Sequence, residues 1–237
     1  MVNSTSLFRP SIDEKRIFLM KTYLWMCFAL IVSAVAAYSA ARIPVLLNFV
    51  WGTRYGFLIL AGIEIMLVWT LSASLRTIPV FAAFLMFTAY AAINGLTISY
   101  IFILFSKSSI VYSFISTAVM FLLMALYGAL TKQSLARAGH YLLMALIGIV
   151  VVSLVNTIVT MITRTRLDML DWVLSLATVV IFTGLTAVDS QKILRAAQRA
   201  DNSDAFKKLA IYGALELYLD FINIFLSLLN LFGKSRD

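Results

Sequence analysis

The amino-acid sequence predicts an all-α polytopic membrane protein with seven transmembrane helices. Of its 237 residues, 62% are hydrophobic and only 13% are charged, whereas soluble domains carry about 25% charged residues. The apolar residues form unbroken runs, each near or above the ~20 residues that a helix needs to cross about 30 Å of hydrocarbon. Alternating β-strands of ~10 residues, as in membrane barrels, would not give such runs.

The predicted spans follow a polar N-terminal arm, which we assign to residues 1–22 and place in the cytoplasm. Residues 23–237 then form one seven-helix membrane domain, which leaves no room for a separate catalytic domain on either face. The charged connector Gln191–Lys208 either extends the sixth helix or forms a short surface helix. In chain order, the apolar runs are Tyr23–Ala41, Phe57–Leu75, Pro79–Phe105, Ile110–Thr131, Tyr141–Thr163, Trp172–Val188 and Leu209–Phe232.

The positive charges predict the orientation and account for the net charge of +8. Twelve of the 19 Lys and Arg residues fall on the side of the N-terminus, so the positive-inside rule favours a cytoplasmic N-terminus and an external C-terminus. These charges lie in the gaps between apolar runs and form no basic patch interleaved with aromatic residues, so we expect no nucleic-acid partner. Cys27 is the single cysteine, which excludes an intrachain disulfide and a cysteine metal cluster.

Five ionisable side chains fall in or at the edge of the apolar runs. A charge at the bilayer centre costs about 2.5–3.5 kcal/mol on insertion scales, so such residues mark a functional site by default. A structural ion pair is the alternative interpretation. The five residues are Glu64, Arg76, Asp189, Glu216 and Asp220.

The stretch ELYLDFIN in the last run places three polar side chains on one face of a helix. Glu216, Asp220 and Asn223 stand at i, i+4 and i+7, which is the spacing of one helical face. The rest of the circumference is apolar. Such a stripe suits a helix that lines or plugs a hydrated path, and Glu216 and Asn223 are therefore candidate pore-lining residues. Alternatively, the stripe only forms hydrogen bonds with neighbouring helices.

Asp189, near the end of the sixth run, is the second candidate for chemistry. It either caps its helix or pairs with Lys192, or it approaches Asp220 of the next helix. Two carboxylates a few Å apart cannot both be ionised cheaply, so they would share a proton and titrate as a unit. Loss of that proton leaves like-charge repulsion or two hard oxygen ligands for a divalent cation such as Ca²⁺. The pair would thus form a pH-operated gate, and Arg76 nearby would stabilise its charged form.

The remaining polar residues carry weaker signals. Glu64 either lines the same path or is a protonated acid bonded to a backbone carbonyl. The hydroxyls of Ser33 and Thr97 are interpreted as ordinary membrane-helix hydroxyls. Nucleophile-elbow, zinc-protease, Walker A and paired Cys/His motifs are absent from the sequence, and the two aspartates lack the glycine-flanked pattern of intramembrane aspartyl proteases. We therefore expect neither an enzyme nor a cofactor.

Several stretches resemble the transmembrane Bax inhibitor motif family, especially its bacterial members. TGLTAVDSQKI (Thr183–Ile193) and GALELYLDFINIFLSLLNLFG (Gly213–Gly233) are similar to the last two helices of that family. Further agreement comes from NGLTISYIF (Asn94–Phe102), LYGALTKQSL (Leu126–Leu135) and LMALIGIVVVSLVN (Leu143–Asn156). The likeness extends from about Tyr23 to the C-terminus.

This resemblance implies a fold and a function. The fold is seven helices with the C-terminal helix surrounded by the other six, and the function is a pH-sensitive Ca²⁺ leak, with Ca²⁺ as the transported ion. The pH-sensing pair falls on Asp189 and Asp220, also the possible Ca²⁺ ligands, and an interacting arginine falls on Arg76. This chain departs from the family at Val188, where a tyrosine is usual.

The function, the location and the partners remain open to rival interpretations. The bacterial likeness implies the inner membrane, with the lipid bilayer, Ca²⁺ and protons as partners. A regulatory membrane protein is the alternative, with the N-terminal arm docking a membrane protease or a cell-death factor. A proton-coupled transporter that uses the same acids is a third interpretation.

Overall fold

The computed structural model describes residues 12–53, 56–74, 77–163, 165, 167–199 and 203–234. These residues form helices and contain no β-strand. A short π-helical segment, Asn48–Gly52, and a 3₁₀ turn, Ile98–Tyr100, interrupt the α-helical pattern. The α-helices are α1 (Ile12–Arg42), α2 (Pro44–Leu47), α3 (Gly56–Ser74), α4 (Val80–Thr97), α5 (Ile101–Leu104), α6 (Lys107–Leu130), α7 (Ala136–Thr163), α8 (Asp168–Ala197) and α9 (Asp204–Phe232).

Among the described residues, six helices are long and apolar enough to cross a membrane, instead of the seven predicted. They are α1, α4 continued through α5, and α6 to α9. The second predicted run forms α3, whose described apolar part, Leu58–Ser74, is shorter than the others. At 1.5 Å per residue this part is about 26 Å long, less than the roughly 30 Å of hydrocarbon. The prediction of seven spans is therefore not confirmed.

Helix boundaries follow local signals in the sequence. Pro44 stands at the first helical position of α2, and Pro79 precedes α4, where a missing backbone N–H costs nothing. The side chain of Ser106 caps α6 by accepting from the backbone N of Ser109 at 3.2 Å, as serine commonly does. At the N-terminus, α1 begins at Ile12 and so includes the second half of the predicted arm.

The C-terminal helix α9 is the most buried of the six. About 67% of its most apolar window is buried, against 6% for α7. It packs against α1, α4, α6 and α8, and residues such as Leu217, Tyr218 and Ile224 have no exposed surface. The most apolar helix, α7, contacts chiefly α8 and turns its other faces outwards. The interface between α8 and α9 thus lies in the protein interior.

Two glycines allow the helices to approach closely. A Cβ atom on Gly128 of α6 would overlap the backbone carbonyl of Ala187 in α8, and one on Gly95 of α4 would overlap the backbone of Ser33 in α1. Small residues are the usual means by which membrane helices bring their backbones together. These contacts fix α6 against α8 and α4 against α1.

Candidate functional site

Asp189 of α8 and Asp220 of α9 are buried on facing helices. Asp189 is 6% exposed and Asp220 is 3% exposed, and their two carboxyl groups interact electrostatically. The chain turns back between Ala197 and Asp204, so α8 and α9 are antiparallel neighbours. The structure thus brings together the two aspartates that the sequence singled out.

Lys192 joins this pair from the same helix. Its Nζ atom donates to Asp189 Oδ1 at 2.6 Å, so the ion pair weighed as an alternative for Asp189 is present. The side chain of Lys192 is 52% exposed, whereas that of Asp189 is 9% exposed. The ammonium group therefore links the buried carboxyl to the surface at this end of α8.

Glu216 adds a third carboxyl group, one turn before Asp220 on α9. It interacts electrostatically with Asp189 and with Lys192, and its carboxyl group also interacts with Tyr212. We call Asp189, Glu216 and Asp220 the acid cluster. Burial and mutual repulsion both disfavour the charged form of carboxyl groups grouped in this way.

Asp220 is the least satisfied member of the acid cluster. Its Oδ2 atom is buried and has no hydrogen-bond partner among the described residues. Thr186 of α8 interacts with the carboxyl group, although its hydroxyl also donates to the Phe182 carbonyl at 2.8 Å. A buried carboxylate oxygen without a donor is costly, so Asp220 is poised to bind a proton, a cation or water. The predicted partner Arg76 lies outside the described residues.

Glu64 belongs to a different polar group, which we call the tyrosine network: Ser33, Glu64, Asn94, Thr97 and Tyr218. Thr97 Oγ1 donates to Glu64 Oε1 at 2.6 Å, and Asn94 Nδ2 donates to Glu64 Oε2 at 3.3 Å. The Tyr218 hydroxyl donates to Asn94 Oδ1 at 2.8 Å and lies 2.7 Å from Ser33 Oγ. The described partners of the Glu64 carboxyl are thus side chains, not the backbone carbonyl considered in the sequence analysis.

The tyrosine network ties four helices together. Ser33 lies on α1, Glu64 on α3, Asn94 and Thr97 on α4, and Tyr218 on α9. The hydroxyls of Ser33 and Thr97, which the sequence analysis treated as ordinary, are therefore tertiary contacts. Tyr218 was not predictable from the sequence, because a tyrosine among leucines in a membrane helix is as often interfacial or lipid-facing as buried.

Substitution Tyr218→Phe is expected to lower the free energy of unfolding by about 1–2 kcal/mol, since it leaves Asn94 Oδ1 without its donor. Thermal unfolding in detergent, followed by circular dichroism, measures this loss. Tyr112→Phe is the matched control, because Tyr112 is 71% exposed, and its melting temperature should not change. Equal melting temperatures for the two variants would contradict a tertiary role for the network.

A polar cavity of about 890 Å³ opens between α7, α8 and α9, at the end of α9 away from Glu216. Asn223, Ser227 and Asn230 of α9 line it, and Asn223 Nδ2 donates to the Leu219 carbonyl at 2.8 Å. The predicted pore-lining role of Asn223 is consistent with this position. The other lining residues are Trp51, Ser153, Asn156, Thr157, Thr160, Met161, Asp168, Asp171, Trp172, Leu174, Ser175 and Thr178.

Two acids give the polar cavity a negative wall. Asp168 and Asp171 lie in the first turn of α8, and Asn156 Nδ2 donates to Asp171 Oδ1 at 2.6 Å. The Oδ1 atom of Asn156 is buried without a hydrogen-bond partner among the described residues. Oxygen atoms of this kind attract cations.

Helix α9 contributes residues both to the polar cavity and to the acid cluster. Asn223 follows Asp220 by three residues, a rise of about 4.5 Å. The predicted polar stripe of α9 therefore runs from Glu216 through Asp220 to the cavity. The described residues contain no group of three or more Asp, Glu, His or Cys side chains arranged to hold a metal ion, so a Ca²⁺ ion at Asp189 and Asp220 would need water or carbonyl oxygens for the rest of its shell.

Comparison with known proteins finds relatives over almost the whole chain. The family model described as inhibitor of apoptosis-promoting Bax1 matches residues 15–237. The chain is 38% identical over 221 residues to inner membrane protein YbhL of Escherichia coli, with 92% of each chain covered. It is 37% identical over 224 residues to a protein of Borreliella burgdorferi, with 94% of each chain covered. A protein of Deinococcus radiodurans is 35% identical over 229 residues, which cover 97% of this chain and 95% of the relative.

Proposed function

The chain belongs to the family of inhibitors of apoptosis-promoting Bax1, and from this membership we propose that it is a pH-sensitive, calcium-permeable leak channel gated by Asp189 and Asp220. The family resemblance predicted from the sequence motifs is thereby confirmed. The chain is a multi-pass integral membrane protein. In this proposal it resides in a bacterial inner membrane, as the name of its relative YbhL states for that protein, with a cytoplasmic N-terminus.

The observation that carries the proposal is the burial of two interacting carboxyl groups at the interface between α8 and α9. These helices are packed closely, so any change in repulsion between the carboxyl groups acts directly on the contact between two spans. With a shared proton, the repulsion is small and the helices remain packed. Without it, the negative charges repel each other or bind a cation between them.

The polar cavity supports an ion path along α9. With a cytoplasmic N-terminus, the start of α9 also lies on the cytoplasmic side, because Phe206 near its start contacts Phe18 near the start of α1. The cavity at the other end of α9 then faces the external side, and Asp168 and Asp171 attract cations into it. Asn223 lies at the end of the cavity, one helical turn from Asp220. In this proposal, Asp220 is the next oxygen ligand along the polar stripe of α9. Beyond the acid cluster, Lys192 reaches the surface on the cytoplasmic side. In this proposal, the ion path is closed in the segment between the cavity and Asp220.

The number of ligands favours passage of an ion over its storage. Stable Ca²⁺ sites use six to eight oxygen ligands, and an ion channel needs sites weak enough to release the ion. Among the described residues, no three Asp, Glu, His or Cys side chains are grouped to hold a metal ion. A pair of carboxylates completed by water is therefore suited to transient binding of Ca²⁺ as the transported ion.

Calcium entry into liposomes tests the proposal. The full-length protein is reconstituted into vesicles loaded with a fluorescent calcium indicator, and entry is recorded across an acid-to-alkaline pH series against protein-free vesicles. We expect entry above the protein-free background that changes by up to about tenfold per pH unit, the limit for one titrating proton. Entry at the same rate at every pH overturns the gate. A lack of entry at any pH overturns the channel and favours the regulatory alternative.

A further inference from the structure

An apolar crevice of about 620 Å³ lies between α1 and α6, apart from the polar cavity and the tyrosine network. Helix α1 packs against α4 and α9, while α6 packs against α8 and α9, and this arrangement leaves a gap between α1 and α6. The floor is formed by Ser190 and Leu194 of α8 and by Phe221 of α9. On the rim, Leu122 and Leu126 are 58% and 48% exposed, so the crevice opens towards the hydrocarbon of the bilayer.

The dimensions of the crevice fit one chain of a lipid. Its walls run from Leu19 to Leu30 on α1 and from Phe114 to Ala129 on α6, about 16 Å and about 22 Å long at 1.5 Å per residue. The shorter wall is about half of the 30 Å hydrocarbon core, which is one leaflet. A volume of 620 Å³ over these lengths gives a width of about 6–7 Å, narrower than the 10–12 Å of an α-helix with its side chains.

The sequence keeps this space open with small side chains. Ala118, Ala125 and Ala129 of α6 line the crevice, where larger residues would fill it. The lining is otherwise apolar or aromatic, apart from Tyr23, Cys27 and Ser190. In water, such a surface would be covered by another part of the protein, but here the surrounding solvent is itself apolar.

Ser190 supplies one polar group in the floor of the crevice. The residue is 2% exposed, and its Oγ atom has no hydrogen-bond partner within the described part of the chain. Buried hydroxyls are nearly always satisfied, so this one calls for a ligand. Lys192 and Arg195 follow on α8, which places Ser190 near the boundary between hydrocarbon and headgroups. The ester carbonyl of a phospholipid lies at that depth.

We propose that this crevice binds one acyl chain of a bilayer phospholipid, with the Ser190 hydroxyl donating a hydrogen bond to its ester carbonyl oxygen. A neutral acceptor is required because Asp189 of the acid cluster is the residue next to Ser190 on α8. The carboxylate of a free fatty acid would be repelled by Asp189 and Asp220. The inference concerns lipid binding alone, so it stands or falls independently of the channel activity.

Photo-crosslinking with a phospholipid that carries a diazirine on its acyl chain tests this site. The full-length protein is reconstituted with a trace of the probe, irradiated and digested, and adducts are mapped on the peptides. Helix α7 is the internal standard for bulk lipid, since only 6% of its apolar window is buried. We expect adducts on residues 19–30 and 118–129 at several times the density on α7. Equal labelling of the three helices would overturn the proposal.

Two variants separate the crevice from the general lipid surface. Ala118→Phe fills the crevice and should reduce its labelling at least fivefold, whereas the neighbouring Val119→Phe, at a position 54% exposed to lipid, should leave it unchanged. Ser190→Ala, which removes a single oxygen atom, should reduce labelling about three- to tenfold, the value of one neutral hydrogen bond. Retained labelling in both Ala118→Phe and Ser190→Ala would contradict a specific site.

An ether-linked phospholipid probe identifies the acceptor atom. Because the ether probe lacks the ester carbonyl, it should label the wild-type crevice as weakly as the ester probe labels the Ser190→Ala variant. The Ser190→Ala substitution should not reduce labelling by the ether probe any further. Equal labelling of the wild type by ether and ester probes would overturn the hydrogen bond. Stronger labelling by a diazirine fatty acid than by the phospholipid probe would show that the crevice does not prefer a phospholipid, and would overturn the proposal. A crosslink to a protein in place of a lipid adduct would overturn it as well.

Discussion

Replacing Asp189 and Asp220 together with asparagine is expected to abolish the pH dependence of calcium entry into liposomes. Asparagine has nearly the shape of a protonated aspartic acid but cannot release a proton, so the interface between α8 and α9 loses the repulsion that ionisation creates. It also loses the two charged oxygen ligands that would hold Ca²⁺. The double variant should therefore admit calcium at one low rate over a pH range in which the wild type changes by up to about tenfold per unit.

A second neutralised carboxyl serves as the control for this experiment. Asp204 lies at the start of α9, is exposed, and pairs with Lys207 at 2.9 Å. Asp204→Asn removes the same charge from the same helix, yet it leaves the acid cluster intact, so it should retain the full pH dependence. A double variant at Asp189 and Asp220 that still responds to pH like the wild type would remove these residues from the gate and direct attention to Glu216 or Glu64.

The acid cluster was predictable because charge is expensive in hydrocarbon. Charged residues are rare in membrane spans unless they have a function. Asp189, Glu216 and Asp220 were therefore conspicuous in a chain that is 62% hydrophobic. Whether Asp189 would face Lys192 or Asp220 was not predictable, because spacing along one helix does not determine which neighbour turns towards it. In the structure, Asp189 accepts a hydrogen bond from Lys192 and also interacts electrostatically with Asp220.

Burial was harder to predict than the helices themselves. Apolar runs mark the spans, but lipid and protein interiors are equally apolar, so hydropathy does not distinguish a central helix from a peripheral one. Among the six candidate spans, α7 has the highest hydropathy and is the least buried, while α9, with its polar stripe, is the most buried. The tyrosine network was missed for a related reason: serine and threonine hydroxyls usually bond to their own helix, and only the packing shows that Ser33 reaches Tyr218.

Replacing Gly128 with alanine is expected to lower the free energy of unfolding by about 1–3 kcal/mol, the usual cost of overpacking. A Cβ atom at this position would overlap the carbonyl oxygen and the Cα atom of Ala187. Both are backbone atoms, so no side-chain rotation can relieve the overlap and α6 must move away from α8. Alanine is also a better helix former than glycine by about 1 kcal/mol, and the expected loss is what remains after that gain.

Gly148→Ala isolates the packing effect from the helix propensity. Gly148 lies in the middle of α7, and an added Cβ would meet no atom within 4 Å. This variant should therefore be as stable as the wild type or more stable by up to about 1 kcal/mol. At roughly 2–4 °C per kcal/mol, the two variants should melt on opposite sides of the wild type in the same detergent. If the Gly128→Ala and Gly148→Ala variants had the same melting temperature, α6 and α8 would not be in backbone contact. Ala187 lies two residues before Asp189 on α8. The same melting result would therefore also contradict the close packing through which the acid cluster is proposed to move the helices.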